Sequence, residues 1–442
     1  MFDGGSIKTL MLSHIPIRQT LKNLLFRLRF QLVGGLIFTI LVPLALKQDF
    51  ALRLSASRDN SIIVGTLALI FSLYIFRRLT VYSSVLGSTF IIPVVTAIYT
   101  IAFLSLMFLR LEYSRFLLGM SYALNILWFY GLYYVTVHLK RHCLAIVPNG
   151  KAQSLMSIPK ANWLPLGDPE VGPKALPEEN DAVIADFSAD MEAPWQRYLA
   201  QCALLGIPVF DYRQVRETLT GKVRIANISE NTLGTLTTNI FYIKLKFLVD
   251  FVFAVLALIF LTPILVLSAV LIKMDSRGPV LFCQSRIGYG GQPFQCYKFR
   301  SMKEKGGAEP TSEEEALQSA KTIINDPRIT RLGRFLRKTR IDELPQIFNI
   351  LKGEMSWIGP RPEASVLSEW YEEKLPFYSY RHVVRPGISG WAQVNQGHVV
   401  EVGDVHEKLQ YDFYYIKKFS LWLDISIVFL TIKTIITGGG AK

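Results

Sequence analysis

With 442 residues, 50% of them hydrophobic, and a formal net charge of +13, the chain suits an integral membrane protein with basic faces toward the cytoplasm. Its cations flank apolar stretches and no nucleic-acid motif accompanies them, so the charge does not point to DNA or RNA. Cys143, Cys202, Cys283 and Cys296 lie far apart with no CxxC, and the six histidines do not cluster, which argues against a structural zinc site and leaves ordinary thiols of a reducing compartment.

Four apolar stretches come first, at about 31–46, 61–76, 87–109 and 116–137. Their lengths bracket the roughly 20 residues that a bilayer core requires. Lys8, Arg18, Lys22, Arg27 and Arg29 precede them, Arg77 and Arg78 follow the second, and Lys140 and Arg141 follow the fourth, marking the cytoplasmic side. Lys47, Arg53 and Arg58 fall in the opposite loop, so the bias is modest. An even number of spans returns the chain to the cytoplasm, and no small-residue cleavage site follows the first, so it reads as an anchor. Residues 1–140 are thus expected to form a four-helix transmembrane domain.

From about 141 to 235 the composition turns soluble. LAIVP (144–148), DAVIADF (181–187) and IPVFDYR (207–213) read as buried strands and AQCALLG (200–206) as the end of a helix, giving a small Rossmann-like α/β domain. A dinucleotide needs glycines after the first strand, and PNGKAQS offers only Gly150, so the domain is expected to be degenerate as a cofactor binder and to serve structure or dimerisation, with nucleotide sensing as the alternative.

A fifth apolar stretch, 246–272, is long enough to span, but Thr262-Pro263 interrupts it near its centre, where proline removes a backbone donor and favours a kink. The loop 303–320 carries Glu313, Glu314 and Glu315 and reads as a solvated helix face. Next, Arg328, Arg331, Arg334, Arg337, Lys338 and Arg340 recur at helical spacing opposite Leu332, Phe335 and Leu336, as in a helix lying on anionic lipid. Asp342 and Glu343 follow where this helix should end. Two readings of Asp342 stand: an N-cap, or a carboxylate beside which a helix end and guanidiniums hold a phosphoryl group. The last apolar segment, 420–439, is short for a span and is expected to be interfacial.

YKFRSM (297–302), DPRITRLGRFLRKTRIDELPQ (326–346), LKGEMSWIGPRPE (351–363), RHVVRPGISGWAQVNQG (381–397) and YDFYYIKKFSLWLD (411–424) resemble the bacterial sugar transferase family, the polyprenyl-phosphate sugar-1-phosphate transferases. The resemblance covers about 240–442, and with the N-terminal half the chain is similar to the large multi-domain members of undecaprenyl-phosphate glucose/galactose phosphotransferase type. It implies a mainly α-helical monotopic catalytic domain over 240–442, in which 246–272 is a re-entrant membrane helix broken at Thr262-Pro263, with Lys246 and Asp250 near its start. Phe247 stands where the family usually has a second basic residue.

The resemblance further implies transfer of a hexose 1-phosphate from a UDP-sugar to undecaprenyl phosphate, releasing UMP, at the bacterial inner membrane with the catalytic domain cytoplasmic, as the first step of exopolysaccharide, capsule or O-antigen synthesis. Asp342 would attack the sugar-bearing phosphate to give a phosphosugar-aspartyl intermediate, and Glu343 would be its partner. Two adjacent carboxylates call for a counter-ion, and Mg²⁺ held by Asp342 and Glu343 is the expected cofactor. Arg337, Arg361, Lys298, Arg300 and Asp412 are the expected phosphate-binding and neighbouring groups, with a buried salt bridge to an arginine as the rival role of Asp412. Pro360 and Pro362 read as rigid-turn residues, and Trp391 as either a uracil platform or core. The bilayer is an expected partner and a homodimer is left open. Two rival functions remain: a membrane glycosyltransferase releasing UDP, and a non-enzymatic polysaccharide-assembly scaffold.

Overall fold

The computed structural model describes residues 28–47, 55–80, 91–139, 143–159, 161–173, 176–177, 180–224, 240–303, 326, 328–375, 377–396 and 402–437. Two compact units emerge, Met1–Leu219 and Thr220–Lys442. The acidic loop with Glu313 to Glu315, and the flanking cations Lys8, Arg18, Lys22, Arg27, Arg53, Lys140 and Arg141, lie outside the described residues.

Four helices open the first unit: α1 (Leu28–Leu46), α2 (Ala56–Thr80), α3 (Ile91–Phe108) and α4 (Arg115–Leu139). All four contain stretches long and apolar enough to cross a membrane. Lipid offers no hydrophobic drive between helices, so close approach depends on small residues. Gly34 and Gly35 of α1 do this, because a Cβ on either would meet Trp128 of α4, and on Gly35 also Leu69 of α2. Around them Leu69, Leu73, Ile91, Val95 and Phe129 form the core.

The same unit holds a parallel sheet of β1 (Cys143–Ile146), β2 (Asn162–Pro165), β3 (Asn180–Ala185) and β4 (Val209–Asp211) in the order β2-β1-β3-β4. Helices α5 (Ala193–Leu204) and α6 (Tyr212–Thr220) flank β4 in sequence. The three strands expected from the sequence appear. Strand β2 was not anticipated: NWLP lies at the sheet edge, where Pro165 is tolerated and no alternating burial marks it. After β1, the loop through Gly150 (φ +49°) folds around Asp186, which accepts from Lys151 N at 2.8 Å and from Ser188 N at 3.0 Å and Ser188 Oγ at 2.5 Å. A carboxylate of the chain itself therefore takes a backbone donor, Lys151 N, of the kind such a loop offers to a phosphate.

In the second unit, α7 (Ile240–Asp275) is followed by the antiparallel hairpin of β5 (Leu281–Ile287) and β6 (Pro293–Phe299). Then come α8 (Arg331–Thr339), a 3₁₀ turn (Ile341–Gln346), α9 (Ile347–Leu351), β7 (Ser356–Ile358) and α10 (Ser365–Lys374). A second 3₁₀ turn (Tyr378–Val383) leads to β8 (Gly387–Ser389), which pairs in parallel with β7, and to α11 (Trp391–Asn395), α12 (Val402–Lys417) and α13 (Leu421–Thr437). The stretch 221–224 packs here as well: Val223 N donates to Gln410 O at 3.0 Å.

The interruption expected at Thr262-Pro263 does not appear: α7 runs through both residues as one helix, with Thr262 Oγ1 donating to Leu258 O at 2.5 Å one turn before the proline's missing donor. One narrow stripe of it is buried, and along its whole length. Ala254 packs with Phe294, Cys296, Ile347 and Ile350, and Ile272 packs with Phe299 and Leu336. At its start Lys246 pairs with Asp424 of α13 at 2.7 Å, and just past its end Ser276 O accepts from Arg300 at 2.7 Å. The remaining surface, from Phe241 to Met274, is an exposed apolar face. Helix α13 has 17 residues and buries Leu423, Ile427 and Leu430 against the unit while Val428, Ile432 and Ile435 stay exposed.

Candidate active site

Thr330 caps α8 by accepting from Gly333 N at 2.8 Å, and Arg340 ends it in the left-handed conformation (φ +59°). That reversal feeds the chain into the 3₁₀ turn whose second and third residues are Asp342 and Glu343. Asp342 is not an N-cap: the cap position of the turn is Arg340, and Asp342 sits inside the turn with Oδ1 buried and unpartnered. The capping reading is thereby corrected. Of the apolar side of α8 expected to lie on lipid, Leu332 and Leu336 pack instead with Ile272 and Phe299, while Phe335 stays exposed.

Glu343 has the opposite surroundings. Its Oε1 is 2.7 Å from Arg361 Nη2, 3.2 Å from Lys298 Nζ and 3.8 Å from Arg340 Nη1. Burial alone would raise this carboxyl, but the Arg361 guanidinium and the Lys298 ammonium outweigh it and hold Glu343 well below the usual carboxylate range. For Asp342, burial leads and the charge of Glu343 adds to it, so its proton is held above the usual range despite Lys298 and Arg337. Neighbouring carboxyls driven apart in this way take different chemical roles.

The sequence-predicted residues divide accordingly. Lys298 on β6 and Arg361 of the Pro-Arg-Pro turn meet at Glu343. Arg337 donates through Nε to Ser301 Oγ at 2.8 Å and lies close enough to act electrostatically on Asp342. Arg300 is directed elsewhere, to Ser276 O and Oγ, because the α7 end offers an orphan carbonyl to a buried guanidinium. Asp412 is fully buried 2.9 Å from Arg381 Nη2, which is its rival role as a salt-bridge partner. Trp391 is core and no platform: it is buried, stacks on Tyr414 at 5.5 Å and donates to Gly221 O at 2.9 Å. Lys246 is taken by Asp424 and lies 4.0 Å from Asp250, and Phe247 carries the Arg385 guanidinium 4.7 Å above its ring.

Arg286 and Arg381 were missed. Arg381 lies in a motif already singled out, but only the fold shows where its fork points. The candidate metal site has two neighbouring carboxylates, an unpartnered Asp342 Oδ1 and a Glu343 Oε2 outside the ion pairs that reach Oε1. Among the described residues no group of three or more His, Cys, Asp or Glu gathers for a metal. One or two carboxylates fit Mg²⁺, which keeps waters and takes substrate phosphates as its other ligands.

A model of the bacterial sugar transferase family matches residues 241–438. The chain is 42% identical over 388 residues to the UDP-N-acetylgalactosamine-undecaprenyl-phosphate N-acetylgalactosaminephosphotransferase of Aeromonas hydrophila, spanning 88% of this chain and 89% of that protein. It is 41% identical over 227 residues to the UDP-glucose:undecaprenyl-phosphate glucose-1-phosphate transferase of Xanthomonas campestris pv. campestris, spanning 50% of this chain and 45% of that protein. The exopolysaccharide production protein PSS of Rhizobium leguminosarum bv. phaseoli is 42% identical over 188 residues, 41% of this chain and 90% of that protein.

Proposed function

The chain belongs to the bacterial sugar transferase family, and we propose that it moves a sugar 1-phosphate from a UDP-sugar to undecaprenyl phosphate at the cytoplasmic face of the bacterial inner membrane. The observation that carries this reading is the divided acid pair, with the Asp342 oxygen unpartnered and the Glu343 charge matched by Lys298 and Arg361. In the first step Asp342 attacks the β-phosphorus, an Asp–O–P bond forms, the bond to the bridging oxygen breaks, and UMP leaves with that electron pair. In the second, an oxygen of the lipid phosphate attacks the same phosphorus, forming the diphosphate and returning the carboxylate. Lys298, Arg361, Arg286 and Arg381 with Lys408 outnumber Glu343, Glu363 and Asp412 around the turn, which suits two anionic substrates. Mg²⁺ held by Asp342 and Glu343 would neutralise phosphate charge there.

The relative that shares both halves of the chain carries N-acetylgalactosamine in its name, so UDP-N-acetylgalactosamine is the first donor to test, beside UDP-glucose and UDP-galactose. Membranes bearing the protein should release UMP from one of them when undecaprenyl phosphate is added. Without the lipid, a stoichiometric UMP burst is expected, and donor labelled in the β-phosphate should mark the peptide holding Ile341 to Leu344. Release of UDP would identify a glycosyltransferase, and no nucleotide turnover would favour a scaffold. UMP release only with acceptor, on unlabelled protein, would mean direct attack by the lipid.

For α7 we infer a re-entrant course, entering and leaving by one face. It is supported by the buried stripe, whose two halves pack on elements of one unit. Cysteines at Phe241 and Arg277, in a background without Cys143, Cys202, Cys283 and Cys296, should both resist an impermeant reagent added outside the cell. Labelling at Arg277 alone would establish a full crossing.

A further inference from the structure

Three successive carbonyls of the Pro360-Arg361-Pro362 turn each have a separate donor. Gly387 N reaches Pro360 O at 2.9 Å, Arg381 Nη2 reaches Arg361 O at 2.8 Å, and Arg286 Nη1 takes Pro362 O. The two guanidiniums are themselves fixed. Arg381 donates through Nη1 to Tyr378 Oη at 2.6 Å and pairs with Asp412, and Arg286 donates through Nη2 to Gln284 Oε1 at 3.0 Å. A turn held at three consecutive carbonyls has little freedom to change the direction in which the Cα–Cβ bond of its central residue leaves the backbone. The side chain launched from it is the one that reaches Glu343 at 2.7 Å.

We propose that Arg381 and Arg286 are positioning residues that clamp the backbone of Arg361, and that Asp412 acts through Arg381 and not on substrate. Stability alone does not account for such an arrangement, because burying paired charges costs about as much desolvation as their attraction returns. What forked donors supply is direction, and a phosphate-binding guanidinium misplaced by about 1 Å loses much of its effect on a transition state. The inference rests on the reading of Asp342 and Arg361 as the phosphoryl site.

The test is a set of double-mutant cycles on the full-length protein in membranes. Arg381→Lys and Arg286→Lys should each lower kcat by about 10- to 100-fold while the donor KM changes less than about threefold. On an Arg361→Lys background, the same substitutions should cost no more than about twofold further, because the group they position is already altered. Tyr378→Phe removes one partner of Arg381 and keeps the buried charges, so it serves if either lysine variant fails to fold. About a three- to tenfold loss of kcat, again absent on the Arg361→Lys background, is expected for it. Equal losses on both backgrounds, or a loss confined to KM, would overturn the clamp. The nucleotide released by the unaltered protein reports separately on the reaction: if it is UDP, the phosphotransfer reading fails and the cycles still decide the coupling.

Discussion

Asp342→Asn is expected to lower UMP release by a factor of about 10³ or more while insertion is unchanged and the melting temperature stays level or rises. The amide has the shape of the carboxylate and cannot serve as the nucleophile. The stability half follows from the raised proton affinity of Asp342, caused first by burial and then by Glu343. A carboxyl whose folded pKa lies above its unfolded value, about 3.9, favours folding while protonated and loses that contribution as pH rises toward the folded value. At neutral pH the ionised group is therefore a burden that asparagine lacks, and each kcal/mol relieved raises melting by about 2–4 °C in a domain of this size. Nucleotide release and thermal melting of both proteins at pH 7 check the two halves together. Substantial UMP release by the variant would remove Asp342 from the mechanism.

Glu343→Gln should fail in the opposite manner, losing stability as well as roughly 10²-fold in turnover. Glutamine leaves the Lys298 ammonium and the Arg361 guanidinium without their shared counter-charge, and breaking a buried pair of this kind costs on the order of 3–5 kcal/mol. Because the folded pKa of Glu343 is depressed, its stabilisation is complete above the unfolded value near 4.3 and fades as pH falls from there toward the folded value. Melting curves should thus separate the two proteins widely at pH 7 and converge below pH 4.3. A constant gap across that range would show that Glu343 is not held as an anion.

The membrane helices were legible in the sequence because hydropathy is a local property, as were the central strands around Ala145 and Val183, which are buried on both faces. The adjacency of Asp342, Glu343 and the preceding arginines is also local. What the sequence could not display is the destination of long side chains. Arg300 and Lys298 stand two apart, yet one reaches Ser276 and the other Glu343, and the choice is made by a helix end and a turn distant in the chain. Asp412 finds Arg381 across the core for the same reason, and Asp186 closes the loop after β1 from the end of a different strand. Strand β2 escaped because its partner, and not its own composition, makes it a strand.

The apolar surface of α7 has a consequence for how such an enzyme is put together. Only about one residue in ten of its most apolar window is buried within the protein, so the second unit has an extended apolar face of its own. Apolar area left uncovered along a helix of this length is what an apolar surface such as lipid is suited to cover.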